Sequence, residues 1–397
     1  MIQLLEQSEI LTNDTNTDFK RFLYQEINWS DRLIGLKGAR GTGKTTLLLQ
    51  KLKELALPAH KAAYFSLDDM YFTTHSLVDT VRKFYKEGGE YLFLDEVHKY
   101  PNWSREIKNI YDQLKGLHLV FTGSSIIDIS KQEVDLSRRV LMWHLPGLSY
   151  REYLKMNNIV DVEQLSLQDL LDPQISKRAL FPSTFKPYEY FSEYLKSGYY
   201  PFYFEDKLGF SRRLKQVVRL IIEYDMAELK EFDLRNAKKM LQLMQIIADQ
   251  VPFKPNLVKL AERSSIHRNT IMNYLVFLQQ AKLIHLLYPY GNSIALLQKP
   301  EKIFLENSNL LYALSTGQIN IGTVRETFFL NQLKVKHNIF DGKKADFIVD
   351  GDYYFEVGGE SKGKKQIGGL PKAFLVKDDL EYPVGNAIPL WLFGYLY

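Results

Sequence analysis

Over its first half, the chain alternates short apolar runs with stretches whose apolar residues recur at helical spacing. Residues 33–36, Leu33-Ile34-Gly35-Leu36, form an unbroken apolar run of the length expected for a buried strand. Residues 62–67, 91–94, 119–122 and 140–145 repeat that signature. Between them, residues 45–55, 77–86 and 103–117 place apolar side chains on one face of a helix. Such alternation predicts a parallel sheet covered on both faces. The segment before residue 31 is polar, with one helical stretch at 19–26.

The pattern changes after Pro146. Residues 149–230 lose strand character and become helical and Tyr-rich, and residues 237–249 and 256–282 also have helical spacing. Strand-like runs return at 302–305, 345–349, 353–357 and 372–376, and the apolar stretch 388–397 is expected to pack.

Composition narrows the class. A chain of 397 residues holds two to four domains at roughly 100–200 residues each. Aromatic residues at 13% argue against disorder. A net charge of +4 is compatible with nucleic acid without requiring it. The absence of cysteine excludes disulfides, thiolate zinc sites and cysteine catalysis, and fits a reducing cytosol. There is no run of ~18 apolar residues and no basic-then-apolar leader, so a soluble cytoplasmic protein without a membrane partner is expected.

The loop after the first strand, Gly38-Ala39-Arg40-Gly41-Thr42-Gly43-Lys44-Thr45, matches G-x-x-x-x-G-K-[ST]. Its glycines let backbone N–H groups turn inward around phosphates, and the helix that begins there favours an anion at its N-terminus. Lys44 is expected to reach the β and γ phosphates, Thr45 to ligate Mg²⁺, and Thr46 to complete the contact set. The third strand ends in Asp95-Glu96. Asp95 would orient Mg²⁺ with Thr45, and Glu96 would act as general base on the attacking water. ATP and Mg²⁺ are thus the expected ligands, and an adjacent Asp-Glu pair points to an ATPase carrying its own base. Thr122 or Ser124, at the end of the fourth strand, is placed to sense the γ-phosphate, with a plain turn as the competing explanation. Arg138 or Arg139 is an arginine-finger candidate, or else part of a solvated basic pair.

Together these residues resemble the prokaryotic AAA+-like ATPases that carry a C-terminal domain of formerly unknown function. Residues 95–103, Asp-Glu-Val-His-Lys-Tyr-Pro-Asn-Trp, are similar to that family's "DE(I/V)xKxPxW", and Thr122-Gly123-Ser124-Ser125 to its "TGSS". Ser137-Arg138-Arg139 resembles "SGR", and this implies Arg139 rather than Arg138 as the finger. Residues 145–153 resemble "PLSFxEF" with Gly147 inserted, and Gly198-Tyr199-Tyr200-Pro201 resembles "GGYP". The resemblance implies an ASCE-type sheet with an additional central strand.

Further on, residues 257–262 and 266–280 flank a short turn and read as a helix-turn-helix. Its second helix would present His267, Arg268, Asn269 and Asn273 to DNA, or else pack on the ATPase module or a protein partner. Near the end, Glu326 on a helix, then Asp346 and Glu356 on paired strands, resemble the PD-(D/E)xK nuclease arrangement. Gly358 stands where the motif has its lysine, and Lys362 or Lys364 is the nearest substitute. The competing reading is a nuclease fold retained for structure or nucleic-acid contact. Residues 302–307 resemble the family's "KIYFxDxG" with Glu306 in place of Asp.

The expected architecture is therefore an α/β P-loop ATPase core (1–148), a helical lid-like region (149–235), a winged helix (236–292) and a degenerate restriction-endonuclease-like α+β domain (293–397). The expected function is ATP hydrolysis driving or switching an interaction with DNA or a protein partner, self-association being compatible with a finger in trans. The alternatives are an ATP-gated metal-dependent nuclease and a nucleotide-switched signalling scaffold.

Overall fold

The computed structural model describes residues 1–124, 136, 138–172, 174, 180–226, 232–251, 257–264, 266–291, 299–360, 362–363 and 367–397. Ser125, Ser137, Lys364 and the side chains of Arg268 and Asn269, all named above, lie outside the described set. The chain divides into two compact units, Met1–Gly147 and Leu148–Tyr397.

The first unit opens with α1 (Ile2–Asp14) and α2 (Phe22–Glu26). Then β1 (Leu33–Gly38), α3 (Lys44–Leu55), β2 (Ala62–Ser66), α4 (Leu77–Lys86), β3 (Tyr91–Asp95), α5 (Trp103–Gln113), β4 (His118–Ser124) and β5 (Leu141–His144) follow. The five strands are ordered β2-β3-β4-β1-β5 and every pair is parallel. The insertion of β4 between β1 and β3 produces the additional central strand. Four consecutive residues of β1 and of β3, and six of β4, are buried, which requires cover on both faces and explains their unbroken apolar runs. Trp103, Ile107, Val81, Phe84 and Phe121 belong to one buried cluster on this sheet. Register aligns Gly38 with Ser124 and Ser66 with Asp95, so these strand ends share one edge.

Two features depart from the sequence reading. Residues 2–14 form a helix although only Leu4 and Ser8 of it are buried, too sparse an apolar face to stand out. Ser8 Oγ accepts the Tyr64 N–H at 2.8 Å, occupying a ladder donor of edge strand β2. The helix expected to reach residue 117 ends at Gln113.

The second unit contains α6 (Tyr150–Met156), α7 (Leu167–Leu171), α8 (Pro187–Ser197), α9 (Phe210–Leu220), α10 (Ala237–Gln250), α11 (Leu257–Ser264) and α12 (Arg268–Gln280). An antiparallel pair, β6 (Ile284–Leu287) and β7 (Lys302–Leu305), precedes α13 (Ser308–Leu314) and α14 (Ile321–Leu333). A second sheet follows, built from β8 (Ile339–Asp341), β9 (Phe347–Val349), β10 (Tyr353–Gly358), β11 (Ala373–Lys377) and β12 (Ala387–Pro389). Its order is β12-β11-β10-β9-β8, antiparallel from β8 to β10 and parallel from β10 to β12. Strands β8 and β12 have three residues each, too short to register as periodic runs.

Several tyrosines of this unit are packing residues whose hydroxyls are paired. Tyr150, Tyr153 and Tyr194 are fully buried, the first two with ring centroids 5.3 and 5.5 Å from that of the third. Tyr150 donates to the Pro187 carbonyl at 2.5 Å and Tyr194 to that of Leu148 at 2.7 Å. Residues Leu390–Tyr397 are buried throughout. Contacts divide the chain once, near residue 147.

Candidate nucleotide site

The strand edge carrying Gly38, Asp95 and Ser124 is where open α/β sheets bind ligands. Gly38 leaves β1 so closely that a Cβ there would lie 2.5 Å from the Leu145 carbonyl oxygen. Gly41 and Gly43 have φ of 82° and 91°, a region that glycine enters without steric cost. Gly43 caps α3 with no side-chain hydrogen bond, so the first turn of this helix presents backbone N–H groups to an anion. Lys44 is buried and donates to the Gly38 and Ala39 carbonyls, each at 3.1 Å. Thr42 is fully buried, its hydroxyl on the Ala39 carbonyl at 2.9 Å, while Thr46 is exposed.

Asp95 is buried at the end of β3, and its two oxygens gather hydroxyls from three elements. Oδ2 accepts from Thr45 at 2.6 Å and from Tyr64 at 2.8 Å, and Oδ1 accepts from Thr122. Burial, followed by the charge of Asp95, pushes the Tyr64 phenol above its ordinary range, so it remains a donor. The Thr45–Asp95 pair is an all-oxygen donor set of the kind Mg²⁺ takes, and the residues fit that ion. Of the two sensor candidates, Thr122 is committed to Asp95 and to the Glu96 N–H (3.2 Å). Ser124 is buried directly beside Gly38.

Glu96 follows with φ 52°, the left-handed region, which costs a residue with a Cβ on the order of 1 kcal/mol or more. The short turn Val97–Lys99 then brings His98 back against it, with Nε2 3.1 Å from Glu96 Oε2.

Sequence reasoning missed Arg21, Tyr64 and His98. Arg21 is buried and donates to the Thr42 carbonyl at 2.7 Å and to those of Pro146 and Gly147 at 2.8 Å each. It thereby ties the phosphate loop to the chain leaving β5. An arginine in a polar N-terminal segment gives no local signal of that role. His98 lies within the motif that the family resemblance quoted, and its type is the one signal that was available.

Arg139 is not brought to the loop. It makes a bidentate pair with Asp112 of α5, at 2.9 and 3.1 Å. It precedes Leu141, whose register partner is Ile34, so it sits at the starting edge of the sheet. At ~3.3 Å per residue, Gly38 lies about 13 Å farther along β1. Strand direction therefore places Arg139 away from its own P-loop.

In the second unit, Glu356 of β10 meets Asp346, which lies just before β9 and not on a strand as expected. The Asp346 N–H donates to Glu356 Oε2 at 3.1 Å, and the Val357 N–H donates to Asp346 Oδ2 at 2.9 Å. Lys362 enters between them, its Nζ 2.8 Å from Glu356 Oε1 and 3.0 Å from Asp346 Oδ2. An ammonium thus occupies the space between the carboxylates, although the chain position of the motif's lysine is Gly358. Among the described residues, no three His, Cys, Asp or Glu side chains stand close enough to hold a metal ion. The buried Glu306 pairs with the half-buried Lys334 at 2.6 Å, a structural contact.

Burial, and then the charge of Asp346, pushes the Glu326 carboxyl up to about 7 from its ordinary 4.5. Between those values the folded protein holds a proton that the unfolded chain has released. The resulting stability is complete below about pH 4.5 and is lost as pH rises through 7. Glu326→Gln is expected to stabilise the protein at pH 8 by about 2 kcal/mol, taking ~1.4 kcal/mol per pK unit with a discount for partial solvation. It should give no gain near pH 4.5. Urea unfolding of both proteins at the two pH values checks this.

Helices α11 and α12 bury Leu260, Ile271, Leu275 and Leu278, while His267 and Asn273 are exposed. No helix among the described residues is long and apolar enough to cross a membrane.

Residues 30–154 match the AAA domain family, and residues 188–321 match a domain of unknown function, DUF8612. The uncharacterized protein MJ1637 of Methanocaldococcus jannaschii is 27% identical over 321 residues, covering 75% of this chain and 67% of that protein. Among solved structures, the replication initiator DnaA bound to AMPPCP and single-stranded DNA overlaps with a TM-score of 0.33 and 17% identity, over 68% of this chain and 92% of that one. The S. cerevisiae Hsp104–ADP complex overlaps with a TM-score of 0.32 and 15% identity, over 70% and 40%. Overlaps this loose carry no inference about this chain. Residues 30–154 thus combine a match to the AAA domain with the five-stranded parallel sheet and phosphate-binding loop of an α/β P-loop NTPase fold.

Proposed function

We propose that this protein hydrolyses ATP with Mg²⁺, using Glu96 as general base, and that turnover switches an interaction made by the second unit. The observation that carries this reading is the Asp95–Glu96 pair at the end of β3, with the Thr45 hydroxyl 2.6 Å from the first carboxylate. Thr45 and Asp95 would hold Mg²⁺, directly or through water, and the ion would offset phosphate charge. Lys44 and the N–H groups of residues 38–46 bind the phosphates. Ser124 orients the attacking water, and Glu96 takes its proton. The test is phosphate release from ATP with Mg²⁺, with and without EDTA and duplex DNA. Turnover that EDTA abolishes supports the site, and no turnover in any condition overturns it.

Stimulation by duplex DNA would identify the partner as nucleic acid. The helix pair α11–α12 followed by the β6–β7 hairpin supports a winged-helix reading, with His267, Arg268, Asn269 and Asn273 as the contacting residues. A rate indifferent to DNA would favour a protein partner.

For residues 293–397 the ammonium of Lys362 between Asp346 and Glu356 supports contact rather than cleavage. A cavity of about 440 Å³ borders these carboxylates, with Lys343 and Lys344 among its lining residues. Plasmid incubated with Mg²⁺ or Mn²⁺ is expected to stay intact. Cleavage that disappears in Asp346→Ala would restore the nuclease reading.

A further inference from the structure

We infer that His98 is the positioning residue for Glu96, holding the carboxylate through Nε2–H while the Ser124 backbone N–H holds the opposite ring nitrogen. The inference rests on the reading of Glu96 as the base. Three observations carry it.

The first is the ring's placement. The His98 side chain is 1% exposed, against 30% for that of Glu96, so the imidazole has no water to orient it. The second is its polarity. The Ser124 N–H donates to Nδ1 at 3.3 Å, which makes Nδ1 the acceptor and leaves the proton of a neutral ring on Nε2. Burial, followed by the nearby Lys99, Lys44 and Arg40, pushes this imidazole down to about 3, so the neutral form is the one present. The third is the backbone. Glu96 is held at φ 52°, and strain of that kind persists only where the surroundings over-determine it. The turn Val97–Lys99 is what returns the ring to the carboxylate it follows by two residues.

The Nε2–Oε2 contact is 3.1 Å but off-line, leaving the buried Nε2 without a well-aligned acceptor. A small rotation of Glu96 would align it. Ser124 is also the register partner of Gly38, the first residue of the phosphate loop. Gly38, Ser124, His98 and Glu96 therefore form a continuous chain of contacts from the loop to the base, in which the end of β4 sets the ring and the ring sets the carboxylate. A general base must sit within hydrogen-bond reach of its water, so loss of this brace acts on the chemical step and not on nucleotide binding.

The test compares ATP turnover and nucleotide affinity in wild type, Glu96→Gln, His98→Met and His98→Gln. Met fills the buried volume without an N–H. Gln can donate to Glu96 and accept from Ser124. His98→Met is expected to lose about 10- to 100-fold in kcat, with KM and nucleotide affinity within about twofold of wild type. His98→Gln is expected to recover to within about threefold of wild type. Thermal unfolding of both variants reports that each is folded. Wild-type kcat in His98→Met, or equal losses in Met and Gln, overturns the inference while an inactive Glu96→Gln leaves the base assignment standing. Wild-type turnover in Glu96→Gln overturns the base assignment and, with it, the role given to His98.

Discussion

Glu96→Gln is expected to lower ATP turnover by about 10²- to 10⁴-fold while leaving nucleotide affinity within about twofold of wild type. The amide keeps the shape of the carboxylate and cannot accept a proton from water. The groups that hold the phosphates, Lys44 and the loop amides, are untouched by the change. Asp95 keeps its three hydroxyl donors, Thr45, Tyr64 and Thr122, so the oxygen set at the end of β3 survives. Phosphate release at saturating ATP measures the first quantity, and titration with a fluorescent nucleotide measures the second. A kcat unchanged by the substitution would remove Glu96 from the role of base. A loss confined to affinity would make it a binding residue instead.

Arg21→Ala is expected to destabilise the first unit by about 3 kcal/mol or more and to raise the KM for ATP at least about tenfold. Arg21 donates to three backbone carbonyls, those of Thr42, Pro146 and Gly147. A hydrogen bond from a charged donor is worth roughly 1.5–3 kcal/mol, and the acceptors here are buried with their donor. Truncation releases the phosphate loop from the segment after β5, and a loop that must be ordered on binding spends part of its binding energy doing so. Arg21→Lys should recover little, because a compact ammonium lacks the planar fork that spans separate acceptors. Urea unfolding and the ATP dependence of the rate check the two effects. Wild-type values in Arg21→Ala would show that the loop is preorganised by its own glycines.

The loop and the acidic pair were legible because their signals are local. Gly41 and Gly43 are required by the φ of their own positions, and Lys44 and Thr45 by their spacing from them. The strands flanking them were legible because β1, β3 and β4 are buried on both faces and so read as unbroken apolar runs. The position of Arg139 was not legible, because a basic pair before a strand carries no information about which end of the sheet it occupies. The parallel register of β5 with β1 decides that.

What the sequence by itself determined is the phosphate-binding loop, the acidic strand end, and the alternation that makes the sheet parallel. Each is written in neighbouring residues or in a short period. What only the tertiary structure decided is which distant groups serve those elements. Arg21 meets Gly147 across 126 positions, Tyr64 meets Asp95 across 31, and Lys362 reaches Asp346 across 16. A lysine displaced from its usual strand position still arrives between the carboxylates, because side-chain reach is set by distance in space and not by spacing along the chain.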